Sequence, residues 1–318
     1  MYKVAIIEEI HNDGIELLKK NSNFEYEIIT DTSEKNLIKK LPEFDACTLR
    51  VSKLDSKILK HCRKLKVISR HGVGYDNVDL NYIKKNNISL LITATANAVA
   101  VAEHVLAFIL SISKSLKEYD KEVRIGNFKK NLQKIQTIEL FNKEILIAGF
   151  GRIGKALIKR CLNFEMKVKI YDPYVDKEVI KENGGEKVEN FDEAIKSCDF
   201  LSLHMPLTKE TKDLLNYNKI KKMKKKAILI NTARGGIINE NDLDKALKDR
   251  LIFGAGLDVF VNEPIEKDSV LLKNNKIILS PHSATFTDEC TSRMGIETVK
   301  NIIDFFENKI QKDMVVKL

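Results

Sequence analysis

Apolar residues in this chain gather into short, continuous runs separated by stretches of mixed polarity. Runs at residues 4–7, 26–29, 46–49, 67–69 and 88–92 read as strands. The intervening segments at 14–20, 34–41 and 55–62 carry helical spacing. Such alternation predicts a parallel sheet covered on both faces. A long helix is predicted from Ala98 to about Val123, because Val101, Val105, Phe108, Ile109 and Ile112 recur at helical intervals. Further strands are predicted at 200–203, 227–230, 252–257 and 276–279, and a final helix at 288–308.

Between these two sets lies the most specific local pattern. An apolar strand from Ile145 runs into Gly149-Phe-Gly151-Arg152-Ile153-Gly154, then a helical stretch, then a second strand ending at Asp172. A G-x-G-x-x-G turn in that setting predicts a dinucleotide site. The first glycine allows a tight turn, the second lets the backbone approach a pyrophosphate, and the third lets helix and strand pack closely. Asp172 falls where a carboxylate would hydrogen-bond the ribose hydroxyls, which predicts NAD rather than NADP by at least about tenfold. The motif starts almost halfway along the chain. The expected fold class is therefore α/β with two domains. A Rossmann-type doubly wound parallel sheet at 98–287 is inserted into a smaller flavodoxin-like parallel α/β domain built from 1–97 and 288–318.

Composition narrows the functional classes. The 318 residues suffice for two domains, and 43% hydrophobic content supports full cores. Five scattered cysteines without C-x-x-C spacing predict reduced thiols in a cytoplasmic protein, with neither a disulfide framework nor a metal site. The N-terminus reads as a first strand and lacks signal-peptide features. The apolar stretch from Ala96 to Ile112 is interrupted by Asn97, Glu103 and His104, so no membrane span is expected. The net charge of +9 is spread along the chain, and its densest run, Lys221 to Lys226, reads as a solvated turn rather than a nucleic-acid contact. The surplus suits an anionic substrate and cofactor.

Arg234, Glu263 and His282 each follow the end of a predicted strand. In an open parallel sheet the carboxyl ends share one edge, where ligands bind, so the three are expected to converge near the glycine turn. These residue types suit hydride transfer between a carbonyl and an alcohol. His282 can carry the proton, Glu263 can stabilise its imidazolium form, and Arg234 can bind a carboxylate bidentately. The alternative for the same residues is a structural ion pair with a backbone-satisfied histidine.

The segments Arg70–Asp79, Asn97–His104, Gly149–Gly154, Asn231–Gly236, Leu257–Phe260 with Glu263-Pro264, and Ser280–His282 resemble the D-isomer-specific 2-hydroxyacid dehydrogenases over nearly the whole chain. The resemblance implies that Arg234, Glu263 and His282 are catalytic. It implies that backbone amides at Val73 and Gly74 hold the substrate carboxylate. Arg50 lies where the phosphoglycerate-oxidising members place a substrate-binding arginine. His204, Pro206, Thr208, Thr232, Ala233, Asp258 and Ala284 fit positions lining the nicotinamide side, alongside the glycine-motif residues. The resemblance also implies a homodimer formed through the NAD-binding domain, and a cleft that closes about hinges near Asn97 and Thr287. The chain departs from the family pattern at Phe128, within 127–130, where many members carry tryptophan. Thr137 and Asn142 replace usual glycines, and Asn142 can take up the left-handed turn itself.

The substrate expected on this basis is a small anionic D-2-hydroxyacid or 2-oxoacid. The leading pair is 3-phosphoglycerate and 3-phosphohydroxypyruvate, as in serine biosynthesis. The sequence ends without an additional regulatory domain, so feedback through one is not expected. Glyoxylate or hydroxypyruvate reduction is the alternative within the same chemistry. An NAD-sensing corepressor is the alternative from a different class; the lack of an extended disordered tail speaks against it.

Overall fold

The computed structural model describes residues 1–128 and 135–318. Lys129 and Lys130, from the segment that departs from the family pattern, lie outside the described residues. The chain forms two compact units, Met1–Asn97 with Phe286–Leu318, and Ala98–Thr285.

The first unit is built on strands β1 (Tyr2–Ile7), β2 (Phe24–Ile29), β3 (Ala46–Leu49), β4 (Val67–Arg70) and β5 (Ser89–Ile92). They pair in parallel in the order β2-β1-β3-β4-β5. That is the flavodoxin-like order. Val4 to Ile7 and Ala46 to Leu49 are fully buried, as a sheet covered on both faces requires. The C-terminal helix Asp288–Phe306 returns to this sheet, where Ser69 Oγ donates to the Thr298 carbonyl at 2.8 Å. Helix Asn12–Lys19 meets it at Gly14; a Cβ there would lie 2.5 Å from the Gly295 carbonyl oxygen. Only glycine permits that approach.

The second unit carries β6 (Glu144–Ala148), β7 (Lys167–Tyr171), β8 (Glu186–Lys187), β9 (Phe200–Leu203), β10 (Ile228–Asn231), β11 (Gly254–Leu257) and β12 (Ile277–Leu279). All pair in parallel, in the order β12-β11-β10-β9-β6-β7-β8. The connections reverse direction between β6 and β9, the switch point of a doubly wound sheet. One face packs Phe108, Ile109 and Ile112 onto Ile145, Ile147, Ile228 and Ile230. The other buries Leu146, Leu201, Leu229 and Ala255 under Ile195, Leu243 and Leu247.

The single long helix expected from Ala98 to Val123 is corrected. It is two helices, Ala98–Ser113 and Leu116–Arg124, set at 57°. Ser115 sits between them at φ +47°. The cause is remote in sequence. The Ser113 carbonyl accepts from Ile138 N–H at 2.7 Å, and Ser115 Oγ donates to the Gln136 carbonyl at 3.0 Å. Backbone and side chain are thus drawn out of the helical ladder. Among the described residues no single helix is long and apolar enough to cross a membrane. Asn142 does adopt the left-handed conformation, at φ +58°. All five cysteines are buried and unpaired.

Gly256 faces the Phe108 ring, where an added Cβ would lie 2.6 Å from Cγ. Gly256→Ala should therefore destabilise the second unit by about 1–3 kcal/mol through overpacking. Urea denaturation checks this; an unchanged midpoint would show that the helix yields without cost.

Candidate active site

The edge formed by the carboxyl ends of β6, β9, β10, β11 and β12 gathers the residues that the sequence singles out in this unit. The β6 strand is followed by Gly149, at φ +102°, where a Cβ would lie 2.5 Å from the His204 carbonyl oxygen beyond β9. A Cβ on Gly154 would lie 2.5 Å from the Gly149 carbonyl oxygen, so the helix Arg152–Asn163 starts against the turn. A Cβ on Gly151 would meet nothing within 4 Å. This open side faces a helix start that has no side-chain cap. Elsewhere Ser33, Asp79, Asn190, Asn239 and Thr287 cap their helices with a side-chain oxygen. A helix start without a side-chain cap suits an anion, because its first-turn N–H groups have no partner within the helix itself.

Asp172 follows β7. Its carboxylate accepts from Phe150 N–H at 2.7 Å and Tyr174 N–H at 2.9 Å, which fixes it beside the glycine turn. Two buried polar atoms on the same edge have no hydrogen-bond partner, Thr232 Oγ1 beyond β10 and His204 Nδ1 beyond β9. His204 Nε2 is 2.8 Å from Ser202 Oγ, and burial pushes the His204 imidazole down to about 4, so it is neutral. Unsatisfied buried groups are costly without a partner. Together with the space at Gly151 and the placement of Asp172, they fit a dinucleotide. Pro206 and Thr208 form a short turn, with Thr208 N–H donating to Thr211 Oγ1 and that hydroxyl donating to the Pro206 carbonyl, both at 2.7 Å.

Arg234, Glu263 and His282 come from the loops after β10, β11 and β12. Asn231 shapes the first of these. Its Oδ1 accepts from Ala233 N–H at 3.0 Å, and its Nδ2 donates to the Arg234 carbonyl at 2.8 Å. The following Gly235 lies against the next loop, where a Cβ would fall 1.8 Å from the Phe260 carbonyl oxygen. Glu263 Oε1 accepts from Phe260 N–H at 3.0 Å, and Glu263 Oε2 is 2.7 Å from His282 Nδ1. His282 sits at φ +52°, an uncommon conformation for a residue other than glycine. Its N–H donates to the Asp258 carbonyl at 2.8 Å. The Asp258 carboxylate accepts from Ser283 N–H at 2.8 Å, Ala284 N–H at 3.0 Å and the Ser280 hydroxyl.

Electrostatics follow this geometry. The hydrogen bond that His282 donates to Glu263 raises the His282 pKa; burial opposes, the charges of Glu263 and Asp258 add to the rise, and Arg234 subtracts. Burial resists ionisation of Glu263, yet hydrogen bonds from His282 and Phe260 N–H and the charges of His282 and Arg234 bring its carboxyl below the usual value. The result is a charged pair poised to hold and release one proton.

Arg50, Val73 and Gly74 lie in the first unit, on the loops after β3 and β4. Arg50 Nη1 donates to the Glu9 carbonyl at 2.8 Å. Arg70 donates to the carbonyls of Leu49, Arg50 and Gly74, and so ties the two loops together. Between them His71 is pushed down to about 4 by burial and then by the Arg50 charge. The sequence reading had no role for Asn231, Ser280 or Arg70. Asn231 and Ser280 stand within the segments 231–236 and 280–282, but polar residues at strand ends are common and their partners are set only by folding.

The NAD-binding-domain model of the D-isomer specific 2-hydroxyacid dehydrogenases matches residues 106–284. The chain is 37% identical to a glyoxylate reductase of Thermococcus litoralis over 99% of its own length and 97% of that protein. It is 35% identical to a D-3-phosphoglycerate dehydrogenase of Archaeoglobus fulgidus over 95% of its own length, but spans only 57% of that relative. Among solved structures, a D-lactate dehydrogenase of Aquifex aeolicus complexed with NAD and lactic acid superposes with a TM-score of 0.86 at 30% identity, covering 98% of both chains.

The linked ionisations predict a pH-dependent stability. The Glu263–His282 pair contributes fully above the ordinary carboxylate range and below the ordinary histidine range. That contribution is lost as pH falls through the lowered Glu263 value or rises through the raised His282 value. Glu263→Gln should therefore lower the thermal midpoint more at about pH 6 than at about pH 9. Equal losses at both would contradict a charged pair.

Proposed function

The chain belongs to the D-isomer-specific 2-hydroxyacid dehydrogenases, and from that premise we propose that it is an NAD-dependent oxidoreductase interconverting a small anionic D-2-hydroxyacid and its 2-oxoacid, with 3-phosphoglycerate and 3-phosphohydroxypyruvate as the leading pair. The observation that carries this reading is the 2.7 Å contact between Glu263 and His282 on the strand edge that also presents Arg234 and the glycine turn. When bound, NADH would supply the hydride for reduction and the oxidised form would accept it for oxidation. The protein has to hold the substrate and move one proton. His282, kept protonated by Glu263, gives that proton to the carbonyl oxygen during reduction and takes it back during oxidation. Arg234 pairs with the substrate carboxylate and polarises the neighbouring carbonyl. The amides of Val73 and Gly74 bind the same carboxylate, and Arg50 binds the distal anionic group. Asp172 favours the free ribose hydroxyls of NAD over the extra phosphate of NADP.

A glyoxylate or hydroxypyruvate reductase is the second reading. It is favoured by the near full-length match to the Thermococcus litoralis enzyme. NADH oxidation with 3-phosphohydroxypyruvate, hydroxypyruvate, glyoxylate and pyruvate separates the two. We expect the highest kcat/KM with the phosphorylated compound, and Arg50→Ala should remove that preference while sparing glyoxylate. His282→Ala should cut turnover by about two to four powers of ten with each substrate while NADH still binds. Turnover that survives this substitution would remove His282 from its role.

A homodimer through the NAD-binding unit is part of the same proposal. Leu116, Val123 and Ile125, on and just after the second of the two broken helices, are 52%, 53% and 63% exposed. Neighbouring exposed apolar side chains suit a subunit interface. Sedimentation at micromolar concentration should give twice the chain mass, and Val123→Asp should shift it toward the monomer. A wild-type monomer would refute this part.

A further inference from the structure

Behind His282 lies a hydrogen-bonded chain that the proposed mechanism does not use. Asp258 is only 1% exposed at the end of β11. Its carboxylate holds the loop 280–284 through Ser283 N–H, Ala284 N–H and the Ser280 hydroxyl. Ser280 Oγ in turn lies 2.9 Å from His104 Nε2, and that nitrogen is 3.7 Å from Asp258 Oδ1. A hydroxyl that donates to a carboxylate is left with lone pairs, so His104 must present an N–H to it. The direction is therefore fixed: His104 N–H to Ser280, Ser280 O–H to Asp258. The His104 ring is itself held edge-on against Phe108, 4.7 Å between centroids.

We propose that His104 and Ser280 are positioning residues for His282, acting through Asp258 by sharing its charge. The proposal rests on the reading of His282 as the proton carrier. The groups facing that imidazole are Glu263, Asp258 and Arg234, and His104 stands two hydrogen-bonded steps behind Asp258, through Ser280. Glu263 is bonded directly to the ring and sets the larger effect. Asp258 acts at longer range, by its field, so its influence depends on how far its charge is already neutralised by donors. Three donors hold it down. Removing the hydroxyl leaves a less compensated carboxylate, whose field favours the imidazolium more strongly. Ser280→Ala should thus move the His282 titration upward, opposite in sign to Glu263→Gln. Loss of a merely structural contact would loosen the loop, weaken the Glu263 contact and move it down.

The experiment is a titration of nitrogen-labelled histidines by NMR in the free protein, which requires no turnover. The chain has six histidines, and the His282 signal is assigned by its loss in His282→Ala. The expected result for Ser280→Ala is a rise of roughly half a pH unit, with Ser280→Thr returning to the wild-type value. His104→Phe, which keeps the ring contact with Phe108, should give a smaller rise alone and no further change when combined with Ser280→Ala. A Ser280→Ala titration that stays in place or falls, or a full additional shift from His104→Phe in that background, overturns the relay. If Ser280→Ala does not fold, His104→Phe decides by itself: a rise supports the relay, and no rise overturns it. Glu263→Gln separates the two levels. If it leaves the titration unmoved, the reading of the Glu263–His282 pair fails. If it lowers the titration while Ser280→Ala does nothing, only the relay fails.

Discussion

A carboxylate removed from water must be met by donors, and the way Asp258 is met shapes the second unit's site. Its partners do not come from its own strand. They come from the loop after the neighbouring strand β12, which has to fold back over the end of β11 to deliver two N–H groups and a hydroxyl. That fold-back places His282 between the donors with its own N–H on the Asp258 carbonyl and its backbone left-handed. A left-handed residue with a Cβ costs about a kilocalorie and persists only where its neighbours over-determine it. Here four hydrogen bonds within five residues do so. The imidazole is then held where Glu263 can reach Nδ1, leaving Nε2 for chemistry.

The same edge is crowded to the limit of backbone contact. Gly149 approaches the His204 carbonyl and Gly235 approaches the Phe260 carbonyl more closely than any side chain would allow. These contacts set the spacing between neighbouring loops, so Arg234 and Glu263 are placed by backbone packing before any charge acts between them. Hydrogen bonds within the loops, such as those of Asn231, refine what the glycines permit. Preorganisation of this kind matters for catalysis because a group already in place needs no reorganisation when charge develops.

Much of this was legible in the chain, because the physics is local or periodic. Buried parallel strands announce themselves as unbroken apolar runs, and the strand ends then locate Arg234, Glu263 and His282 without further assumption. The glycine turn and Asp172 are legible for the same reason: each meets a backbone or charge requirement within one βαβ unit. What stayed hidden depends on partners far along the chain. The break after Ser113 arises from Gln136 and Ile138, and no residue within the helix demands it. Asp258 reads from sequence as a ligand contact, and only the fold shows that its carboxylate also holds the loop after β12. His104 looks like an interruption on an apolar helix face, and only the fold shows that it meets Ser280.

Substrate choice follows a different logic from the chemistry. Relatives at 35% and 37% identity bear the names of a phosphoglycerate and a glyoxylate enzyme, so similarity of that order does not separate the two. In the proposed function the arginine, glutamate and histidine would act on the carboxylate and carbonyl that every 2-oxoacid shares, and would discriminate little. Discrimination has to come from whatever meets the rest of the molecule. A cation placed for a phosphate rejects a substrate lacking one by orders of magnitude, because its charge is then left unpaired in the site; a pocket that merely accommodates a small aldehyde has no such lever. Arg50 is anchored at one nitrogen by the Glu9 carbonyl and neighbours a histidine kept neutral by burial and by the Arg50 charge itself. A dianion bound there would offset the charge that helps to hold His71 neutral, so under the proposed function the first unit's loops, and not the proton-transfer pair, are where the two readings of this chain part.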